Sequence, residues 1–181
     1  SFKLPNDLTK DSYMVLFGGG YSYKRTSIIN NRKKWKYFGV LHEVIIGQDE
    51  MTESQLVTGD YHFVSGRTGR RSMNPNKYHE DAVILEEAFH NTRGAWLKNR
   101  YAFYCAQSYK DAKNPIKAIE WYKKTLALDC WQQEKFYAAY MVGVLEQQSD
   151  NICNAMSYYL LTLTYDPKRW EGLYFAIQHL L

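Results

Sequence analysis

The side chains able to do chemistry are few, and the informative ones lie before residue 80. His42 and Glu43 end the apolar run Trp35-Lys36-Tyr37-Phe38-Gly39-Val40-Leu41. A carboxylate can take a proton from a hydroxyl, and an imidazole changes charge near neutral pH. As neighbours on one strand the two would point to opposite faces, so they need not act together. A satisfied structural His beside a surface Glu is the competing reading. The metalloprotease pattern is excluded, because no His stands four residues after His42. His62, within Asp60-Tyr61-His62-Phe63, is either structural or a metal ligand. Arg67, Arg70, Arg71 and Lys77 could grip phosphate oxygens, since guanidinium forks fit that geometry. The alternative for these four is a mobile basic loop. His79, His90 and His179 have no partners at ligand spacing and receive no role.

Charge separates the 181 residues into two parts. Residues 1–76 carry eleven basic and seven acidic side chains, and residues 77–181 carry twelve of each, so the net charge of +4 lies in the first part. Lys24, Arg25, Arg32, Lys33, Lys34 and Lys36 have no acid between them, which favours an anionic partner unless the segment is a solvated loop. Basic and aromatic residues alternate in Arg32-Lys33-Lys34-Trp35-Lys36-Tyr37, as tracking of a single strand would need. The run is short and the excess small, so no nucleic-acid partner is expected. Hydrophobic residues at 45% and charged residues at 23% are globular values and exclude disorder and collagen. No apolar run of about 18 residues predicts a membrane span. The chain opens at Ser1 without Met or an apolar leader and reads as a fragment or trimmed product. Cys105, Cys130 and Cys153 are odd in number and include no Cys-x-x-Cys. They are expected to be structural thiols of a reducing, cytoplasmic setting.

These residues need elements to position them. The predicted class is α+β, with a β-rich segment over 1–76 and helices over 77–181. Strands are predicted over 13–17, 21–29, 35–46 and 55–65 from aromatic and β-branched content. Gly18-Gly19-Gly20 is a turn rather than a phosphate loop, since no Gly-Lys-Ser/Thr follows. Residues 66–76 form a basic loop. Apolar spacing predicts helices over 77–91, 100–109, 115–128, 132–147, 152–164 and 169–181. Asn114 suits an N-cap and Pro115 the first helical position.

The helical part lies on itself when shifted by 37. Ala106 then meets Gly143, Ala118 meets Ala155, Tyr122 meets Tyr159 and Leu126 meets Leu163. Two small residues with an aromatic four further on allow a close helix pair with one ring in the groove. This pattern, over residues 99–167, resembles the tetratricopeptide repeat, whose usual period is about 34. Asp166-Pro167 ends the second unit as that motif expects, and residues 169–181 would start a third. Glu146 departs from the pattern, since the first unit has Tyr109 there.

The order of the pieces adds a second resemblance. Trp35-x-x-x-Gly39-Val40-Leu41-His42-Glu43, then His62, then Lys77-x-x-x-Asp81-x-x-x-Leu85, then Tyr104-x-Ala106-Gln107-Ser108-Tyr109-x-Asp111 and Asp166-Pro167-x-Arg169-x-Glu171 follow one another. The set is similar to family 2 glycosyltransferases of GT-A fold fused to tetratricopeptide-like repeats. The resemblance implies a transferase using a nucleotide-sugar donor with Mn2+ or Mg2+. It implies Glu43 as the base at the acceptor, His42 beside it, His62 as a metal ligand or diphosphate contact, and Arg67, Arg70, Arg71 and Lys77 at the donor phosphates. Glu43, His62 and the loop from 67 to 77 are expected to face one cleft. The acceptor would be a saccharide, a lipid-linked glycan or a protein, and the repeats could hold a protein partner. The family's Asp-x-Asp metal motif is absent. Residues 1–76 are too few for the nucleotide-binding half, so the chain is expected to be the acceptor-side end of the catalytic domain plus the repeats, inactive alone. A non-catalytic docking module is the alternative.

Overall fold

The structure is a computed structural model that describes residues 7–18, 22–49, 52–64, 66 and 69–178. The chain forms two compact units, Ser1–Met73 and Asn74–Leu181. Among the described residues every strand lies in the first and every α-helix in the second, so the mixed α+β class holds. No described helix is long and apolar enough to cross a membrane.

In the first unit β1 (Ser12–Phe17) is the centre of a three-stranded sheet. It pairs antiparallel with β2 (Tyr23–Ile29) and parallel with β5 (Ser54–Leu56). The period-2 alternation of β1 turns Tyr13 and Val15 to one face. With Val57 they make a small core, against which Phe17, Ile28 and Tyr61 pack. Asp11 braces the start of this sheet. Its carboxylate accepts the backbone N–H of Glu53 at 2.9 Å and the Lys33 ammonium at 3.0 Å. Those two bonds, the Glu53 amide first, hold the Asp11 carboxyl below its ordinary range. A separate two-stranded sheet pairs β3 (Trp35–Phe38) with β4 (Val44–Gly47). The predicted single run over 35–46 is therefore a hairpin. The predicted strand over 55–65 shortens to β5, after which, among the described residues, only Phe63 bridges to Phe17.

The second unit contains α1 (Lys77–Asn91), α2 (Ala95–Asp111), α3 (Pro115–Ala127), α4 (Gln132–Gln148), α5 (Ile152–Tyr165) and α6 (Glu171–Gln178). Each helix packs on the next in the chain. The 37-residue step appears in the element bounds themselves, because both ends of α2 map onto both ends of α4 and the start of α3 maps onto that of α5. It also appears in what is buried. Ala102 and Ala139, Cys105 and Val142, Ala118 and Ala155, and Tyr122 and Tyr159 are all fully buried. The helix α1 is in phase as well, with Asp81, Leu85 and Ala88 buried where α3 buries Ala118, Tyr122 and Thr125.

The turns repeat too. Lys113 and Asp150 adopt left-handed backbone angles, φ 59° and 62°. The next amide reaches back in each, Asn114 N–H to Tyr109 C=O and Asn151 N–H to Glu146 C=O, both at 2.9 Å. This 6→1 bond satisfies a carbonyl that the ending helix leaves open. The Asn114 side chain accepts from the Lys117 amide, as predicted for a cap. Glu146 ceases to be an anomaly at this level. The Tyr109 hydroxyl donates to the carboxylate of Glu86. One repeat later the same two places hold Glu146 and Lys123, joined at 3.0 Å. The contact is kept and the carboxylate has changed helices.

In the close approach of α4 and α5, Gly143 faces the ring of Tyr159. A β-carbon on Gly143 would lie 2.6 Å from two atoms of the Tyr159 ring. The ring is held by its hydroxyl bond to Gln147 and by stacking on Phe175 at 5.7 Å. Gly143→Leu is therefore expected to cost about 1–3 kcal/mol by overpacking. Gly143→Ala is expected to be destabilising as well, although alanine gains about 1 kcal/mol of helix propensity over glycine. Thermal unfolding measures both, and an unchanged melting temperature for Gly143→Leu would refute the contact. Lys113→Gly and Asp150→Gly are each expected to stabilise by about 0.5–1 kcal/mol, since relief of left-handed strain exceeds the added chain entropy. A lower melting temperature for either would contradict that balance.

Candidate functional site

The β3–β4 hairpin carries the first candidate pair. Its register runs from Trp35 opposite Gly47 to Phe38 opposite Val44, leaving residues 39–43 as the turn. The base is tied down, because the Trp35 indole N–H donates to Asn30 C=O at 2.9 Å and Gln48 N–H to Lys34 C=O at 2.9 Å. Two left-handed residues bend the turn, Gly39 at φ 113° and His42 at φ 52°. Gly39 cannot be exchanged freely, since a β-carbon there would stand 3.1 Å from Leu41 O. His42 and Glu43 thus sit in the turn and not along a strand, and both are exposed. The expectation of opposite strand faces does not apply, because the left-handed bend ends the strand before His42.

His62 lies elsewhere in the same unit. It is exposed and precedes Phe63, whose N–H donates to Leu16 C=O at 2.8 Å while its C=O accepts from Gly18 N–H at 2.9 Å. His62 is thereby carried at the end of β1, beside the three-stranded sheet, whereas Glu43 belongs to the hairpin. The two candidates are attached to different sheets and not to strand ends of one sheet.

The basic group divides. Arg67 lies outside the described residues. Arg70 and Arg71 begin a single 3-10 turn, Arg70–Met73, and are exposed. Lys77 opens α1 in the second unit, where its ammonium is 2.7 Å from the buried Asp81 carboxylate and 4.4 Å from the Tyr78 ring centre. Its charge is matched within its own helix. Among the described residues no three His, Cys, Asp or Glu side chains gather as a metal-holding group. The described residues thus do not by themselves make a complete site for Mn2+ or Mg2+.

The cysteines are free. Cys105 and Cys130 are buried, as expected of structural thiols, and burial pushes their pKa values up, that of Cys130 to about 12. They stay protonated and are poor nucleophiles. Cys153 is exposed. Trp96, Trp131 and Trp170 stand exposed at the starts of α2, α4 and α6.

No protein-family model matches the chain, and no curated protein matches it.

Proposed function

We propose that this chain is the acceptor-side end of a family 2-like glycosyltransferase catalytic domain, joined to tetratricopeptide-like repeats, and that it works in the cytoplasm. The observation that carries the reading is His42. Its left-handed backbone strain, on a braced hairpin turn, sits directly before the exposed Glu43 carboxylate. Strain of this kind is stored preferentially at functional sites. Glu43 is the base that takes the acceptor hydroxyl proton. Arg70 and Arg71 meet the charge that develops on the leaving diphosphate. A divalent cation, when bound, would add to that stabilisation, with most of its ligands coming from the nucleotide-binding half. The 37-residue phase of helix bounds, buried positions and turns supports the repeat assignment. The buried, protonated thiols suit a reducing compartment.

A second reading, a non-catalytic docking module, is favoured by the separate compactness of the helical unit. The experiment that decides uses this chain joined to a nucleotide-binding half. Glu43→Gln is expected to lower kcat by about 10²–10⁴-fold with little change in donor affinity. His62→Ala and Arg70→Ala are expected to weaken donor or metal binding instead. A Glu43→Gln enzyme with normal kcat would sink the transferase reading. The chain alone is expected to show no tight nucleotide-sugar binding, so low-micromolar affinity by calorimetry would contradict its assignment to the acceptor side.

A further inference from the structure

The β3–β4 hairpin closes on the Phe38–Val44 pair, so residues 39–43 form a turn whose two ends are fixed. Gly39 is the first residue of that turn and Glu43 the last. A β-carbon on Gly39 would stand 3.1 Å from Leu41 O, 3.4 Å from Glu43 Cα and 3.8 Å from Glu43 N. The backbone that carries the Glu43 carboxylate therefore passes directly over a bare Cα. How close the last residue of the turn comes is set by the first.

Conformation adds a second demand. Gly39 sits at φ 113°. Residues with a side chain enter the left-handed region at φ of about 50–70°. An alanine at position 39 would have to rotate the chain by about 50° to reach it, and its β-carbon would still face the Leu41 carbonyl. A side-chain neighbour could swing aside, but the three nearest atoms are all main chain. Room can be made only by moving residues 40–43.

The base of the hairpin cannot share that movement. The Trp35 indole is bonded to Asn30 C=O, and Gln48 N–H to Lys34 C=O. Gly47 stands opposite Trp35, and a β-carbon there would overlap the Thr52 methyl and lie 3.4 Å from the Trp35 ring. The base is thus packed as closely as its composition allows, and any adjustment to a side chain at position 39 falls on the turn. Gly94 shows the contrast. Its φ is −73°, and a β-carbon there would meet nothing within 4 Å.

We propose that Gly39 is a positioning residue for the Glu43 carboxylate, its bare left-handed Cα setting where the turn delivers the base. The proposal rests on the transferase reading, in which Glu43 takes the acceptor proton. The test uses the chain joined to a nucleotide-binding half and compares Gly39→Ala, Glu43→Gln and the double variant. Gly39→Ala is expected to lower kcat by about 10–100-fold, the range for a group misplaced by about 1 Å, with little change in donor KM. Because Gly39 acts through Glu43, the double variant should have the kcat of Glu43→Gln alone, whereas a general loss of structure would multiply the two losses. Gly39→Asn should keep more activity than Gly39→Ala, since Asn enters left-handed conformations more readily. Gly94→Ala should match the wild type. A second measurement needs neither donor nor turnover. In amide nuclear magnetic resonance spectra of the 181-residue chain, Gly39→Ala should move the resonances of residues 40–43 and leave those of β1 and β2 in place. Normal kcat for Gly39→Ala beside an impaired Glu43→Gln overturns the proposal and leaves the transferase reading standing. Multiplied losses in the double variant overturn it too, as do resonance changes that spread through β1 and β2. Normal kcat for Glu43→Gln overturns the proposal together with the transferase reading.

Discussion

The ring of Tyr159 fills the volume that a side chain on Gly143 would occupy, and the helical unit is organised around contacts of this kind. A small residue on one helix lets the next approach closely, and an aromatic ring fills what remains of the groove. The same device recurs where α6 meets α5. A β-carbon on Gly172 would be 2.6 Å from Tyr159 O and 2.3 Å from Thr162 Oγ1. Tyr159 therefore serves both sides of α5, touching α4 through its ring and α6 through Phe175. Close packing makes such positions intolerant of added volume.

Polar contacts follow the same geometry with looser chemistry. Tyr109 with Glu86 and Glu146 with Lys123 occupy corresponding places. Both contacts join the end of one helix to the helix before it. Burial, with the Glu86 hydrogen bond, raises the Tyr109 hydroxyl. Burial would also raise the Glu146 carboxyl, but its bonds from Lys123 and Asn151 outweigh that and hold it below the ordinary value. A phenol giving to a carboxylate and a carboxylate receiving an ammonium fit the same gap. Position is conserved between repeats because packing sets it, and the charge pattern is free to change as long as each buried polar group keeps a partner.

The strand-rich unit relies on a different constraint. Its core is small, with Tyr13, Val15 and Val57 buried. Asp11 compensates by joining the start of β1 to the residue before β5 and to Lys33 ahead of β3. A turn displayed on so small a scaffold needs bracing at its base, which Trp35 and Gln48 supply. Functional groups can then sit on the turn while regular pairing below it keeps their place.

Sequence alone determined the mixed α+β class, the helix over 77–91 and the 37-residue step. Each rests on local pattern: apolar spacing of one helical face, caps such as Asn114 and Pro115, and small residues recurring in phase. Two local features escaped it. The split of residues 35–46 into a hairpin depends on left-handed angles at Gly39 and His42, and a histidine carries no obligatory signal for that conformation. The short β5 depends on how far β1 extends a parallel partner, which is non-local. Only tertiary structure decided that Gly143 meets Tyr159, that Lys77 is matched by Asp81, and that Glu43 and His62 hang from different sheets. Spacing along a chain sets which residues lie on one face of one element, whereas contacts between elements are set by the packing of whole surfaces, which no single segment contains.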